Sequence, residues 1–461
     1  MKNKITLLLF LVIRYVFAQQ PTIKGKVSIS IKKGIIECDL TVTNYPSIKD
    51  YIIILNKGLN IRYFRNIEDN YSYAYDYNFY ENVSGEGMGY FFPNKTGKFL
   101  PNDGFRISYV GAFPVISDTL KSRNTGDWKG NIAFNNNSIR ASEQSVWYPV
   151  LYDIEKDLKY DKVKYDINLI CEDCESEYIS GSLPVTGRSS FLTSDKPVEL
   201  FLFAGNYKVV NVDGTYFLNP DINEAELKEF GKMTNSFKNF YEKKLDIPYG
   251  SKITYVQTTP LSKRNAWMFV SYPAIVNVGW GQYGLKGFVE EGSDSYKFIA
   301  HEIAHYYFGT LRVFNSELGD MISESFAEYL SMKSSKAILN DSIPKKMLNE
   351  KIKELRSDTL IPFSKIRSEK DYGERNTYVY TYAPLIYNAI EKEIGEEKMY
   401  KWMQAVLTTK TDFTNYEFLK QTLETTLNDK TKLEIIIEKY FTSDMSIQNA
   451  ILKLEQNGKK K

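Results

Sequence analysis

Polar and apolar residues alternate in Lys24-Gly25-Lys26-Val27-Ser28-Ile29-Ser30-Ile31. That two-residue period predicts a strand with one face buried. After a turn, Gly34 to Val42 continues the alternation. Asn60 to Phe64 and Phe105 to Val110 are further strand candidates, and Gly, Asn, Asp and Pro punctuate them at short intervals. This character runs from Pro21 to about Asn211, with Val198 to Gly205 as its closing stretch. After Pro220 the period lengthens. Leu227, Phe230, Met233, Phe237 and Phe240 fall three or four apart, which predicts a helix over 221–244. A strand-like stretch follows from Lys252 to Trp280, and helical spacing dominates from Asp294 onward. No internal repeat is visible. The pattern predicts an α+β multidomain chain, with a β-rich part over 19–211 and a mainly α-helical part over 212–461.

Residues 1–18 read as a secretory signal peptide. Lys2 and Lys4 give a basic start, Ile5 to Ile13 an apolar core, and Val16 and Ala18 a small-residue cleavage site. Arg14 interrupts the apolar stretch. No Cys follows that core, which argues against a lipoprotein anchor. The expectation is a secreted or periplasmic protein that keeps no transmembrane anchor after cleavage, since no internal run approaches the ~18 apolar residues needed to span a bilayer. The net charge is +2. Without residues 1–18, which carry Lys2, Lys4, Arg14 and no acid, 56 basic and 57 acidic residues remain, a net −1. There is no basic stripe, so nucleic acid is not an expected partner.

The chain has three cysteines. In an oxidising compartment Cys171 and Cys174 can close a small loop, or one of them can pair with Cys38. A zinc knuckle would need a second ligand pair, and none is nearby. Leu169 to Cys174 reads as a strand entering an acidic turn, where a redox Cys-x-x-Cys pair usually opens a helix.

The chemistry concentrates elsewhere. The chain has two histidines, and they stand four apart in His301-Glu302-Ile303-Ala304-His305. Ser293 or Asp294 can cap a helix here and Gly309 can end it. On such a helix both rings lie one turn apart on one face and reach one ion. Glu302 is placed to take a proton from the attacking water rather than to bind the metal. Catalytic zinc takes three protein ligands and one open position. A metzincin would have His at position 311, where this chain has Leu311. With no third His, the remaining ligand must be a carboxylate. Ile322-Ser323-Glu324-Ser325-Phe326-Ala327-Glu328-Tyr329-Leu330 supplies Glu324 on a predicted helix with an apolar face. Eighteen residues separate His305 from Glu324, enough for a helix to end and a second to return. Glu328, one turn further, either orients a ligand histidine or is a solvated carboxylate.

The pairing of His301-Glu302-Ile303-Ala304-His305 with Glu324-Ser325-Phe326-Ala327-Glu328-Tyr329 resembles the gluzincin metallopeptidases of the membrane alanyl aminopeptidase family. Trp147-Tyr148-Pro149 and Phe201 to Gly205 are also similar to recurring segments of that family's N-terminal domain. The resemblance implies a β-sandwich or saddle-like N-terminal domain followed by a thermolysin-like, mainly α-helical zinc peptidase domain. By this resemblance the family's large C-terminal helical domain is not expected in this chain. One Zn2+ per chain is implied, held by His301, His305 and Glu324, with Glu302 as general base. An oxyanion needs a further donor beyond the metal, and with no His left it must be Tyr or Arg. Val379-Tyr380-Thr381-Tyr382-Ala383-Pro384 resembles the family's stretch with a catalytic Tyr at a helix start. This puts Tyr380 in the role, with Tyr378 and Tyr382 close in register.

One part of the family pattern breaks. Its exopeptidases carry Gly-x-Met-Glu-Asn on a strand edge, where the Glu binds the substrate's α-amine. Ser271 to Gly279 is the corresponding region here, with Val276 near that Glu. The edge can still hold a peptide by β-addition. The amine anchor is missing unless Glu290, Glu291 or a residue of the N-terminal part replaces it. The expected function is peptide hydrolysis on a peptide or protein substrate, exo or endo unresolved. The alternatives are a weak or inactive peptide- or protein-binding module on the same scaffold, and a zinc hydrolase with another substrate.

Overall fold

The computed structural model describes residues 19–65, 70–76, 85–117, 126–135, 137–261 and 267–456, with only the backbone of Ser293 and Asp294. The expected signal peptide at 1–18 and the expected solvated end at 458–461 lie outside the described residues.

Alternation builds the first sheet. Its strands run in the order Ser189–Glu199, Lys162–Cys171, Thr22–Ser30, Ile35–Thr43, Phe105–Ala112, Leu59–Arg65, Asn70–Tyr71. In Ile35–Thr43 every second residue is buried, so Ile36, Cys38, Leu40 and Val42 face the core. Thr22–Ser30 pairs antiparallel with Ile35–Thr43 and parallel with Lys162–Cys171. Tyr51–Asn56 is buried along its whole length and lies inside a further sheet, between Val150–Asp153 and Gly87–Phe91. Its unbroken apolar run carries no period, which is why alternation does not reveal it. Cys171 and Cys174 are paired, and Cys38 is free and buried. Trp147 and Tyr148 are both buried. Trp147 Nε1 donates to the Leu200 carbonyl at 2.9 Å, tying two of the segments singled out in the sequence.

Val209–Val212 straddles the expected boundary at 211/212 and pairs into the later sheet. That sheet runs Val209–Val212, Thr215–Leu218, Thr254–Thr258, Ala274–Val278, Trp267–Ser271, so the last strand is an edge. Phe201, Phe203 and Tyr178 of the β-rich part pack with Val256, Phe269 and Val276 of this sheet in one buried cluster. The two parts therefore share a core at the junction.

The predicted helix over 221–244 is α1, Glu224–Leu245. Asn223 Oδ1 accepts from the Glu226 N–H and Glu226 Oε2 accepts from the Asn223 N–H, a reciprocal capping box. Leu227, Phe230 and Phe237 are buried and Met233 and Phe240 partly so, as the spacing requires. Next come α2 (Leu285–Glu291), α3 (Ser293–Ala304), α4 (Gly319–Ile338) and α5 (Ser342–Leu355). A π-helical turn, Thr377–Tyr382, then runs into α6 (Ala383–Ile394). The chain is thus mixed sheet and helix, strands first and helices after. Among the described residues no helix is long and apolar enough to cross a membrane.

Candidate metal centre and cleft

α3 differs at both ends from its sequence reading. It starts at Ser293 with Gly292 in the cap position at φ 64°, and no side chain caps it. It ends at Ala304, well short of Gly309, with His305 as the closing residue. The turn that follows is tight: the Tyr307 N–H donates to the Ala304 carbonyl at 3.0 Å and that of Thr310 to the His305 carbonyl at 3.1 Å. Gly309 serves this turn: its φ is 147°, and a Cβ there would crowd the His305 carbonyl oxygen at 3.1 Å.

His301 and His305 project from successive turns, with ring centroids 4.7 Å apart. α4 packs against α3 and brings Glu324 to them. His301 Nε2 lies 3.0 Å from His305 Nε2. Glu324 Oε2 lies 3.4 Å from the first and 3.3 Å from the second. This oxygen is buried and has no hydrogen-bond partner. A tetrahedral ion with ligands at ~2.0–2.1 Å holds its ligand atoms about 3.3 Å apart. The near-equilateral triangle of two imidazole nitrogens and an orphaned carboxylate oxygen fits zinc in both spacing and donor type.

The outer faces of these side chains are also held. His305 Nδ1 is 3.1 Å from the Phe308 carbonyl oxygen, which fixes the N–H there and turns the Nε2 lone pair inward. His301 Nδ1 is 3.3 Å from Glu328 Oε2, and Lys351 Nζ donates to Glu328 Oε1 at 2.7 Å. Glu328 therefore faces a histidine and is largely buried rather than solvated. Burial alone would raise its carboxyl, but the charges of Lys351 and His301 outweigh this and hold it down at about 2. For His301 burial is again opposed, and the Glu324 and Glu328 carboxylates lift the metal-free imidazole to about 10. Arg375 grips Asp320 with two bonds, at 2.8 and 2.5 Å, and reaches Glu324 Oε1 at 3.3 Å.

Tyr380 stands in the π-helical turn ahead of α6, its ring 5.8 Å from that of His301. Tyr378 and Tyr382 are fully buried; Tyr378 donates to the Ile361 carbonyl and Tyr382 is bonded to Ser446. Burial, reinforced by the Glu324 charge, raises the Tyr380 hydroxyl above its ordinary value, so it remains an O–H donor at neutral pH. His301, Glu302 and Tyr380 line two cavities. One is a cleft of about 580 Å³ that also touches His305 and Glu324, and the other a hollow of about 390 Å³ beside α5.

The wall of the larger cleft differs from expectation. Val276 is fully buried in Ala274–Val278, which lies one strand in from the edge of its sheet. The edge strand is Trp267–Ser271, and its Met268, Phe269 and Val270 line the cleft. Glu290 pairs with Lys286 at 3.5 Å and Glu291 with Ser295, and neither lines the cleft. The β-rich part instead supplies Lys129, Glu143, Lys159, Asp161 and Glu199. Glu143 Oε2 accepts from Ser271 Oγ at 2.5 Å. Glu199 accepts from the Tyr272 N–H and from Thr310 Oγ1, both at 3.2 Å. These long-range contacts clamp the end of the edge strand and the turn after α3. They left no local signal in the sequence.

No protein-family model matches the chain, and no curated protein matches its sequence. Solved structures do match its fold. A mutant of the M1 zinc metallopeptidase of Deinococcus radiodurans, bound to a Tyr-Ser-Ala substrate, is similar with a TM-score of 0.61 at 13% identity, over 91% of this chain and 94% of that one. Another structure of that metallopeptidase gives 0.59 at 13% identity, over 91% and 93%. Yeast LTA4 hydrolase in complex with bestatin gives 0.61 at 11% identity, over 90% of this chain and 66% of that one. With its β-rich first part and helical second part, the chain has the fold of the M1 zinc metallopeptidases.

Proposed function

We propose that this chain is a zinc-dependent peptide hydrolase. The observation that carries the reading is the triangle of His301, His305 and Glu324 donor atoms, with edges of 3.0, 3.4 and 3.3 Å, facing a cleft that Glu302 and Tyr380 also line. Zn2+ held by these three would act as a Lewis acid and lower the pKa of a water towards ~7. Glu302 takes the proton of the attacking water and passes it to the leaving amine. Tyr380 donates its O–H to the oxygen that gains charge as the amide carbonyl is attacked. Glu328 and the Phe308 carbonyl hold the two imidazoles in the orientation that ligation needs. The edge of Trp267–Ser271 gives a peptide backbone somewhere to add as a strand. The match to M1 zinc metallopeptidases in fold supports the assignment. The Cys171–Cys174 pair suits an oxidising compartment.

The test is cleavage of a mixed pool of peptides by the full chain, with zinc counted by elemental analysis. We expect about one zinc per chain, activity lost on chelation and restored by zinc. Glu302→Gln should retain zinc and lose turnover by several orders of magnitude. Wild-type rates from Glu302→Gln would overturn the mechanism. Stoichiometric zinc without cleavage of any peptide would make the scaffold a peptide-binding module.

A further inference from the structure

A free α-ammonium entering a desolvated cleft needs an acceptor that the protein has left open. Two of the carboxylates that the β-rich part brings to this cleft, Glu143 and Glu199, are occupied by the chain's own donors. Glu143 holds Lys129 Nζ in an ion pair and Ser271 Oγ in a hydrogen bond. Glu199 receives Thr310 Oγ1 on one oxygen and the Tyr272 N–H on the other. At Asp161 burial pushes the carboxyl up, against the opposing charges of Lys162 and Lys159.

Lys129 is the informative member. Its side chain is 17% exposed, and Nζ lies 5.6 Å from the centre of the Phe269 ring on the edge strand. Its charge acts on Glu143, Glu199 and Glu302 together. The chain thus places its own ammonium among the acids of the cleft, beside the strand on which a peptide would lie. A substrate ammonium arriving there meets a like charge and acceptors already taken.

Resting on the peptide-hydrolase reading above, we propose that Lys129 is a specificity-determining residue that selects peptides bringing no free α-ammonium into the cleft. Such substrates are N-acylated peptides and internal segments of longer chains. Both have a neutral amide where an exopeptidase substrate has a cation.

The experiment uses the zinc-loaded full chain and one peptide sequence in two forms, with a free and with an acetylated N-terminus. The acetylated form should show at least tenfold higher kcat/KM. Lys129→Met removes the ammonium and opens one Glu143 oxygen, so the ratio should move at least tenfold toward the free peptide. Lys129→Met combined with Glu143→Gln removes that acceptor as well, so the shift should disappear. The double variant also avoids leaving Glu143 buried without its cation, should the single variant fold poorly. A wild-type preference for the free peptide, or a ratio unmoved by Lys129→Met, overturns the proposal. Calorimetric binding of the same two peptides to the zinc-loaded Glu302→Gln protein separates the two readings. Tighter binding of the acetylated form without any wild-type cleavage would reject hydrolysis and support Lys129 as the selector. Tighter binding of the free form would reject Lys129 whatever the turnover.

Discussion

At the scale of single residues, Glu328 and Tyr380 both stand beside His301, and the proposed reading gives them different effects. Glu328 touches a ring nitrogen that faces away from Glu324, so its effect should fall on zinc. Glu328→Gln removes the charge and keeps the shape. We expect zinc affinity to drop by about 10–100-fold, measured by competition with a chelating dye. Tyr380→Phe should leave that affinity within a factor of two or so and lower kcat by about 10²–10³, with KM little changed. If instead Tyr380→Phe weakened zinc and spared kcat, Tyr380 would be a packing residue. His301, Glu302, His305 and Glu324 could be picked out in the sequence because helical spacing and residue type are both local facts. Lys129, Glu143 and Glu199 could not. They reach the cleft through strand order and domain packing, and each in isolation is an ordinary charged residue of a β-rich stretch.

At the scale of elements, α1 shows how a local signal becomes stability. The spacing of its apolar residues set the buried face, and Asn223 with Glu226 satisfies N–H groups that a helix start otherwise leaves open. Asn223→Ala should cost about 1 kcal/mol of unfolding free energy, read as a lower urea midpoint with an unchanged slope. A change within a few tenths would mean that tertiary packing alone sets this end of the helix. The pair Trp267–Ser271 and Ala274–Val278 shows where such signals stop. Both stretches have strand composition, and nothing in their residues says which one is the edge. Ala274–Val278 pairs on both sides, with Thr254–Thr258 and with Trp267–Ser271, and so is buried throughout. The cleft edge falls to the strand before it in sequence, because the antiparallel partner lies outside the parallel core of the sheet. Tyr51–Asn56 was hidden for a related reason: a strand buried on both faces has no alternation to detect.

At the scale of the whole molecule, the order of strands first and helices after was legible from the change of period near Pro220. The shared core at the junction was not, since it joins Phe201 and Phe203 to Val276 across the expected boundary. Several shifted groups make global stability depend on pH, and Glu177 is one that lies away from the metal centre. This residue is fully buried beside the Cys171–Cys174 pair. Its Oε1 accepts from the Cys171 N–H at 3.1 Å, and the Ser190 hydroxyl also favours the charged carboxylate. Burial outweighs the nearby polar groups and pushes the carboxyl up from its ordinary 4.5 to about 7. Between those values the folded chain holds more proton than the unfolded one. The contribution of Glu177 is therefore fully present below the unfolded value and is lost as pH rises through about 7. At ~1.4 kcal/mol per unit, the loss amounts to roughly 3 kcal/mol. Glu177→Gln keeps the acceptor for Cys171 and removes the titration. The difference in unfolding free energy between wild type and variant, followed by urea denaturation from pH 4.5 to 7.5 at fixed zinc, should shift against the wild type by that amount. Because the difference cancels groups that titrate alike in both proteins, a flat line would mean that Glu177 ionises at its ordinary value, with its carboxylate solvated by water or by a local shift of the chain.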